Sequence, residues 1–116
     1  MKVIFISGRI SAPTYYEVWQ NVLHAHQASL RLMKRGYATI CPHKNTEFFE
    51  GALKKDPEDD FEEWIKRDME LLSRCDIIYL LKGWRQSRGS KREHARAKEL
   101  NLDIMFEEEE NRKKKN

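Results

Sequence analysis

Long apolar runs are missing from this chain. No stretch approaches the roughly 18 consecutive apolar residues that a membrane-spanning helix requires, so no membrane span is expected. The opening MKVIFISG carries an apolar run too short for a secretory leader, and no small-residue cleavage site follows it. Cysteine is scarce. Cys41 and Cys75 both sit in apolar contexts, which reads as two buried thiols in a cytoplasmic protein and not as a disulfide framework. Metal-ligand spacing is lacking as well: His24 and His26 lie two apart on a helical segment and share no face, while His43 and His94 stand alone. A Cys41–His43 nucleophile pair is disfavoured because Cys41 closes an apolar strand. Glycine numbers five and forms neither G-x-G-x-x-G nor a P-loop, so no dinucleotide or Walker-type fingerprint is present. An excess of one charge sign is missing too. Lys plus Arg number 22 and Asp plus Glu 19, leaving +3, so the total gives no ground for a nucleic-acid partner.

What is present is an alternation of apolar runs and amphipathic segments, in a chain of 116 residues that suffices for one domain. Lys2–Ser7 is β-branched and aromatic and stops at Gly8, as a buried first strand would. After a loop at Gly8–Thr14, residues from about Tyr15 to Arg35 repeat apolar side chains at steps of three and four, with Gly36 as the C-terminal cap. Tyr37–Cys41 reads as a second strand closed by Pro42. Residues 43–55 read as loop with a short helical turn near Glu47–Leu53. Asp56-Pro57-Glu58 is a helix start: an N-cap, proline at the first helical position, then acids at the positive helix end. This helix carries Phe61, Trp64, Ile65, Leu71 and Leu72 and ends near Arg74. Asp76–Leu81 is a third, almost wholly apolar strand, of the kind buried inside a parallel sheet. A basic loop at 82–89 leads to a helix at about Lys91–Leu100, and Leu102–Phe106 is a fourth strand.

This order predicts an α/β fold: a small doubly wound, Rossmann-like parallel sheet with helices on both faces, spanning residues 1–106. Residues 107–116, EEEENRKKKN, form a charged run without apolar anchors and read as a disordered tail with no site in it. In doubly wound sheets, ligands sit outside the carboxyl ends of the strands. Those ends feed Gly8–Pro13, Pro42–Asn45 and Lys82–Ser90, so Ser7, Gly8, Arg9, Ser11, His43, Trp84, Ser87, Arg88, Gly89 and Ser90 are the binding candidates. Trp84 is the stacking candidate, and Trp19 reads as core.

Glu93 has two readings. Ser90-x-x-Glu93 matches a capping box, in which the two side chains satisfy each other's backbone amides. Alternatively, Glu93 faces the ligand edge as a carboxylate nucleophile or base. Asp68, inside a helix, reads as a surface acid on spacing alone.

Four segments together resemble the nucleoside 2-deoxyribosyltransferase superfamily, near its deoxynucleoside 5′-monophosphate N-glycosidases and related short bacterial and phage proteins. They are VIFISGRIS, LMKRGYATICP, WIKRDMELLSRCDIIYLL and GWRQSRGSKREHARA, and they cover most of residues 3–105. The resemblance implies that Glu93 is the nucleophile attacking the anomeric carbon. It implies that Asp68 orients or protonates the base and that Ser87, with Ser90 competing for the position, contacts a 5′-phosphate. Arg9, Arg85 and Arg88 would assist, and the helix N-terminus would help keep Glu93 ionised. It further implies a cytoplasmic homodimer or higher homo-oligomer acting on a nucleotide or nucleoside without metal or organic cofactor. Where many members carry a strand tyrosine, this chain has Phe5, with Tyr15 or Tyr16 as replacements for the hydroxyl. Its first loop carries Arg9 and Ser11 in exchanged order. A non-catalytic nucleotide-binding module is the alternative function.

Overall fold

The computed structural model describes residues 1–42 and 52–110. Four strands, β1 (Val3–Ser7), β2 (Ala38–Ile40), β3 (Ile77–Leu80) and β4 (Asp103–Phe106), form one all-parallel sheet in the order β2-β1-β3-β4. Among the described residues, three helices connect them: α1 (Tyr15–Lys34), α2 (Pro57–Leu72) and α3 (Arg88–Glu99). Register is in phase across the sheet, with Phe5 opposite both Ile40 and Ile78, and Ile78 opposite Ile104.

The helices lie on both faces, as the α-β alternation requires. Side chains of a strand point alternately to opposite faces. Ile4 and Ile6 of β1, with Ile77 and Tyr79 of β3, pack under Ala25, Ala28 and Leu32 of α1. Phe5, Ile78 and Leu80 pack on the other face against Leu72 of α2 and Ala97 of α3. The doubly wound fold expected from the sequence is therefore the one observed. The chain leaves β1 for β2 on one side and later crosses to β3 on the other, so the switch point lies between β1 and β3.

The ends of the elements follow their capping chemistry. Thr14 accepts from the Glu17 amide at 3.2 Å, and Asp56 accepts from the amides of Glu58 and Asp59 at 3.0 Å each. Gly8 is required by close approach. A Cβ there would lie 2.5 Å from Leu81 Cδ1, so any side chain would force the end of β1 away from the segment after β3.

Two expectations fail at the carboxyl edge. The turn from the basic loop into α3 is capped by Ser87, whose Oγ accepts from the Ser90 amide at 3.1 Å, so the helix starts at Arg88. Ser90 is not the cap, and Glu93 is one turn too far along to complete a capping box. The acidic run also does not begin an unanchored tail: residues 107–110 are helical, and Glu107 is buried. Its carboxylate accepts from the Lys82 amide at 2.8 Å, bonds His24 Nε2 at 2.9 Å and pairs with Arg31 at 3.0 Å. Glu110 accepts from the buried Tyr79 hydroxyl at 2.7 Å and pairs with Arg35 at 2.8 Å. The anchor is electrostatic, and a search for apolar residues overlooks it. The short turn anticipated near Glu47–Leu53 lies largely outside the described residues.

Cys41 and Cys75 are buried thiols that form no disulfide, as expected. No described helix is long and apolar enough to cross a membrane.

Candidate active site

β1 and α3 build the centre of the site. Ser7 is the last residue of β1 and lies on the same face as Phe5, toward α2 and α3. Ser90, Glu93 and Ala97 recur at three- and four-residue steps and form the buried stripe of α3. Ala97 enters the apolar core, while Glu93, one turn nearer the helix start, meets the end of β1. There Ser7 Oγ donates to Glu93 Oε1 at 2.7 Å. Asp68, in the fourth turn of α2, reaches the same point and hydrogen-bonds Glu93 side chain to side chain.

Two acids in contact away from water cannot both stay charged at low cost. Burial pushes Glu93 well above the usual carboxylate range, and the charge of Asp68 pushes it further, against the opposing bond from Ser7. Burial also raises Asp68, to about 6, although its bond with Glu93 works the other way. The two carboxyl groups behave as one titrating pair that shares a proton at neutral pH. The α3 N-terminus was expected to keep Glu93 ionised. It does not, because Glu93 sits in the second turn, beyond the reach of the helix-end partial charge, and burial beside Asp68 dominates.

The pair opens onto a cleft of about 930 Å³ between α1, α2 and the start of α3. A cavity of this volume admits a small organic molecule. Its walls carry Trp19, Phe61 and Trp64, while the first loop contributes Gly8, Arg9 and Ser11, and the α3 entry contributes Ser87, Arg88, Gly89 and Ser90. Ser90 Oγ is buried and has no hydrogen-bond partner among the described residues. A Cβ at Gly89 would sit 3.5 Å from Ile65 Cδ1, an ordinary contact, so the packing of α3 on α2 does not itself demand glycine there. The structure thus brings Asp68 and Glu93 together with Ser7, Gly8, Arg9, Ser11, Ser87, Arg88, Gly89 and Ser90. His43 lies outside the described residues.

Trp84 and Trp19 exchange the places expected of them. Trp84 is 6 % exposed, belongs to the core under α3 and contacts His94 at 4.6 Å between ring centroids. It lies away from the cleft. Trp19, read as core from its helical spacing, is 56 % exposed and lines the cleft. The 3.6-residue period identifies an apolar arc but not which edge of that arc faces the sheet.

The basic loop is not a single anion cradle. Arg85 stacks on Trp84 at 4.7 Å and pairs with Glu108 at 3.5 Å, outside the cleft. Arg88 reaches the cleft but lies 3.8 Å over the Phe61 ring and pairs with Glu58 at 2.8 Å. Arg92 pairs with Glu62 at 2.8 Å. The acidic run of α2 therefore does more than cap its own helix: Glu58 and Glu62 anchor α3. Asp60, also in this run, is buried and accepts from the amides of Leu53 and Lys54 at 3.1 Å each and from Trp64 Nε1 at 3.1 Å. Among the described residues, no group of His, Cys, Asp and Glu is arranged to hold a metal ion.

Fold and site together define a doubly wound α/β protein with a coupled carboxyl pair, Glu93 buried and Asp68 half-buried, at the floor of an aromatic-walled cleft. By sequence the chain belongs to the family described as "Domain of unknown function (DUF4406)", which matches residues 2–106. No curated protein matches the chain in sequence.

Proposed function

We propose that this protein cleaves or exchanges the N-glycosidic bond of a nucleoside or nucleoside 5′-monophosphate, with Glu93 as nucleophile and Asp68 as proton donor. The observation that carries this reading is the Glu93–Asp68 pair, held by Ser7 and open to a cleft lined with aromatic rings. Two carboxyl groups flanking the scissile bond are the usual equipment for glycoside hydrolysis. The flat rings suit a nucleobase, and the polar α3 entry suits a sugar or phosphate.

The shared proton supplies both roles. As the anomeric carbon enters between the two acids, the shared proton passes from Glu93 to Asp68, and Glu93 becomes the carboxylate. Glu93 attacks the anomeric carbon, the C–N bond breaks, and its electron pair takes the proton from Asp68, so the base leaves neutral. Asp68, now ionised, accepts a proton from water or a second base as that nucleophile displaces Glu93 from the sugar. Each acid returns to its starting state. Ser7 stabilises the charged form of Glu93, the part a strand tyrosine hydroxyl would otherwise play. Phe5 lies wholly in the core, and Tyr15 and Tyr16 are exposed.

The test is base release from a panel of nucleosides and their 5′-monophosphates, with and without a second base as acceptor, using wild type and Glu93→Gln. Release by wild type alone supports the reading. A second reading, a nucleotide-binding module without turnover, draws on the raised proton affinity of Glu93, which leaves the empty site without a free nucleophile. Saturable nucleotide binding with no base release from any substrate would establish it.

A further inference from the structure

One buried acid takes no part in the reaction proposed above. Asp60, in the first turn of α2, is 6 % exposed. Three N–H groups converge on its two oxygens. Oδ1 accepts from the backbone amides of Leu53 and Lys54, and Oδ2 accepts from the indole Nε1 of Trp64, each at 3.1 Å. Burying a carboxylate is costly unless its oxygens are bonded. Here the bonds, with the positive end of α2 close by, offset that cost. Asp60 and Trp64 both line the cleft onto which Glu93 and Asp68 open.

We infer that Asp60 is a positioning residue for the substrate's base: it fixes the plane of the Trp64 indole, on which the base stacks. This rests on the nucleoside reading above and adds to it the surface that grips the base. An indole turns on a broad terminal torsion, so packing alone leaves its tilt loose. A bond at Nε1, on the ring edge, removes that freedom, provided the acceptor is itself held. Asp60 is held by the Leu53 and Lys54 amides on the oxygen that Trp64 does not use. Asp60, Trp64 and Asp68 follow at four-residue steps. That spacing sets them in line along α2, about 5–6 Å apart from Cβ to Cβ. The ring lies one turn from Asp68, the proton donor proposed for the leaving base. A fixed ring plane sets how the edge of the base meets that acid.

Asparagine separates the two jobs of this carboxylate. Its side chain offers one acceptor oxygen and one NH2 donor group. With the oxygen turned to the two amides, the NH2 group faces the Trp64 N–H, donor against donor. Asp60→Asn therefore keeps Leu53 and Lys54 tied and releases the indole. Trp64→Phe leaves the carboxylate and a ring in place but removes the N–H. Because Asp60 acts through the indole, the second change adds nothing to the first. A carboxylate that served only to tie the segment before α2 would behave differently: its loss would be felt equally with either ring.

Two measurements on the full chain test this. The first needs no ligand. The Trp64 indole N–H signal in a proton–nitrogen correlation spectrum is identified by its loss in Trp64→Phe. In wild type it should exchange with solvent more slowly than the Trp19 signal, a reading that requires no variant of Asp60. In Asp60→Asn it should exchange at least about 10-fold faster, as local opening allows. The second is binding, read in the Glu93→Gln background so that the ligand persists. The probes are deoxyadenosine, deoxyguanosine, deoxycytidine and thymidine, with their 5′-monophosphates. For a probe that binds, Asp60→Asn and Trp64→Phe should each raise Kd about 5–20-fold, within the reach of one stacked base. The double variant should match the weaker-binding single variant, with circular dichroism unchanged throughout. A Trp64 signal that exchanges as fast as that of Trp19, an unchanged Kd in Asp60→Asn, or losses that multiply in the double variant would each overturn the positioning role and leave the glycosidase reading standing. Wild type and Glu93→Gln that both bind none of these probes would overturn the base as ligand, and the glycosidase reading with it, whatever the indole signal does.

Discussion

Ser7 and Glu93 stand 86 positions apart in the chain and 2.7 Å apart in space, a buried hydroxyl donating to a buried carboxyl. This bond ties the end of β1 to the second turn of α3. It also opposes the burial that pushes a proton onto Glu93.

Removing the hydroxyl should therefore raise the proton affinity of Glu93 further. A hydrogen bond to a charged group is worth about 1.5–3 kcal/mol. Ser7→Ala is expected to lower base release at neutral pH by on the order of 10-fold or more and to shift the acidic limb of the kcat/KM profile to higher pH. An unshifted profile would detach Ser7 from the chemistry.

Glu93→Gln should abolish turnover, and Asp68→Asn should lower it about 10²–10⁴-fold, the usual share of a general acid. Their stability should move the other way. An acid whose folded-state pKa is raised binds its proton more tightly folded than unfolded, so stability falls as pH rises. For Asp68 the loss runs from its ordinary value of 3.8 to about 6. Thermal melts across this range should decline in wild type and flatten in Asp68→Asn. A wild-type melting temperature that climbs through the same window in step with the variant's would contradict the shared-proton pair.

The Glu107 anchor should act with the opposite sign. Burial alone would raise this carboxyl, but its bonds to His24 and the Lys82 amide, with Arg31 nearby, hold it below the ordinary carboxylate range. Its contribution is present above the unfolded value of about 4.5 and is lost as pH falls. Glu107→Gln is expected to cost about 1–3 kcal/mol in urea unfolding at neutral pH. Truncation after Phe106 should cost at least as much, although it removes only charged and polar residues. A truncated chain as stable as the whole would mean that these bonds contribute nothing net.

The two tryptophans should separate cleanly. Trp84→Ala empties a buried site and should destabilise by about 3–5 kcal/mol. Trp19→Ala removes an exposed ring from the cleft wall, so it should leave the melting temperature of the monomer nearly unchanged while weakening nucleotide binding. Equal losses of stability in both variants would return Trp19 to the core.

At Gly8 the prediction is steric. Gly8→Ala places a methyl group against Leu81 and should cost about 1–3 kcal/mol, read from the urea midpoint.

The order of elements and the parallel sheet were legible in the sequence. Each follows from a local pattern: a β-branched run ended by Gly8, the Asp56-Pro57 helix start, the apolar DIIYLL strand. Local pattern also placed Glu93 near a helix start. It could not distinguish a cap from a buried acid, because Ser87 and Ser90 are equally good caps on paper and only the path of the loop after Trp84 chooses between them. Asp68 looked like a surface acid for a similar reason: its burial comes from α3, which lies 20 residues further on. The contact between Ser7 and Glu93, the inversion of Trp19 and Trp84, and the burial of Glu107 were decided by tertiary structure alone. All three depend on which side chains from distant segments arrive at one point, and charge pairing, unlike apolar periodicity, leaves no repeating trace along the chain.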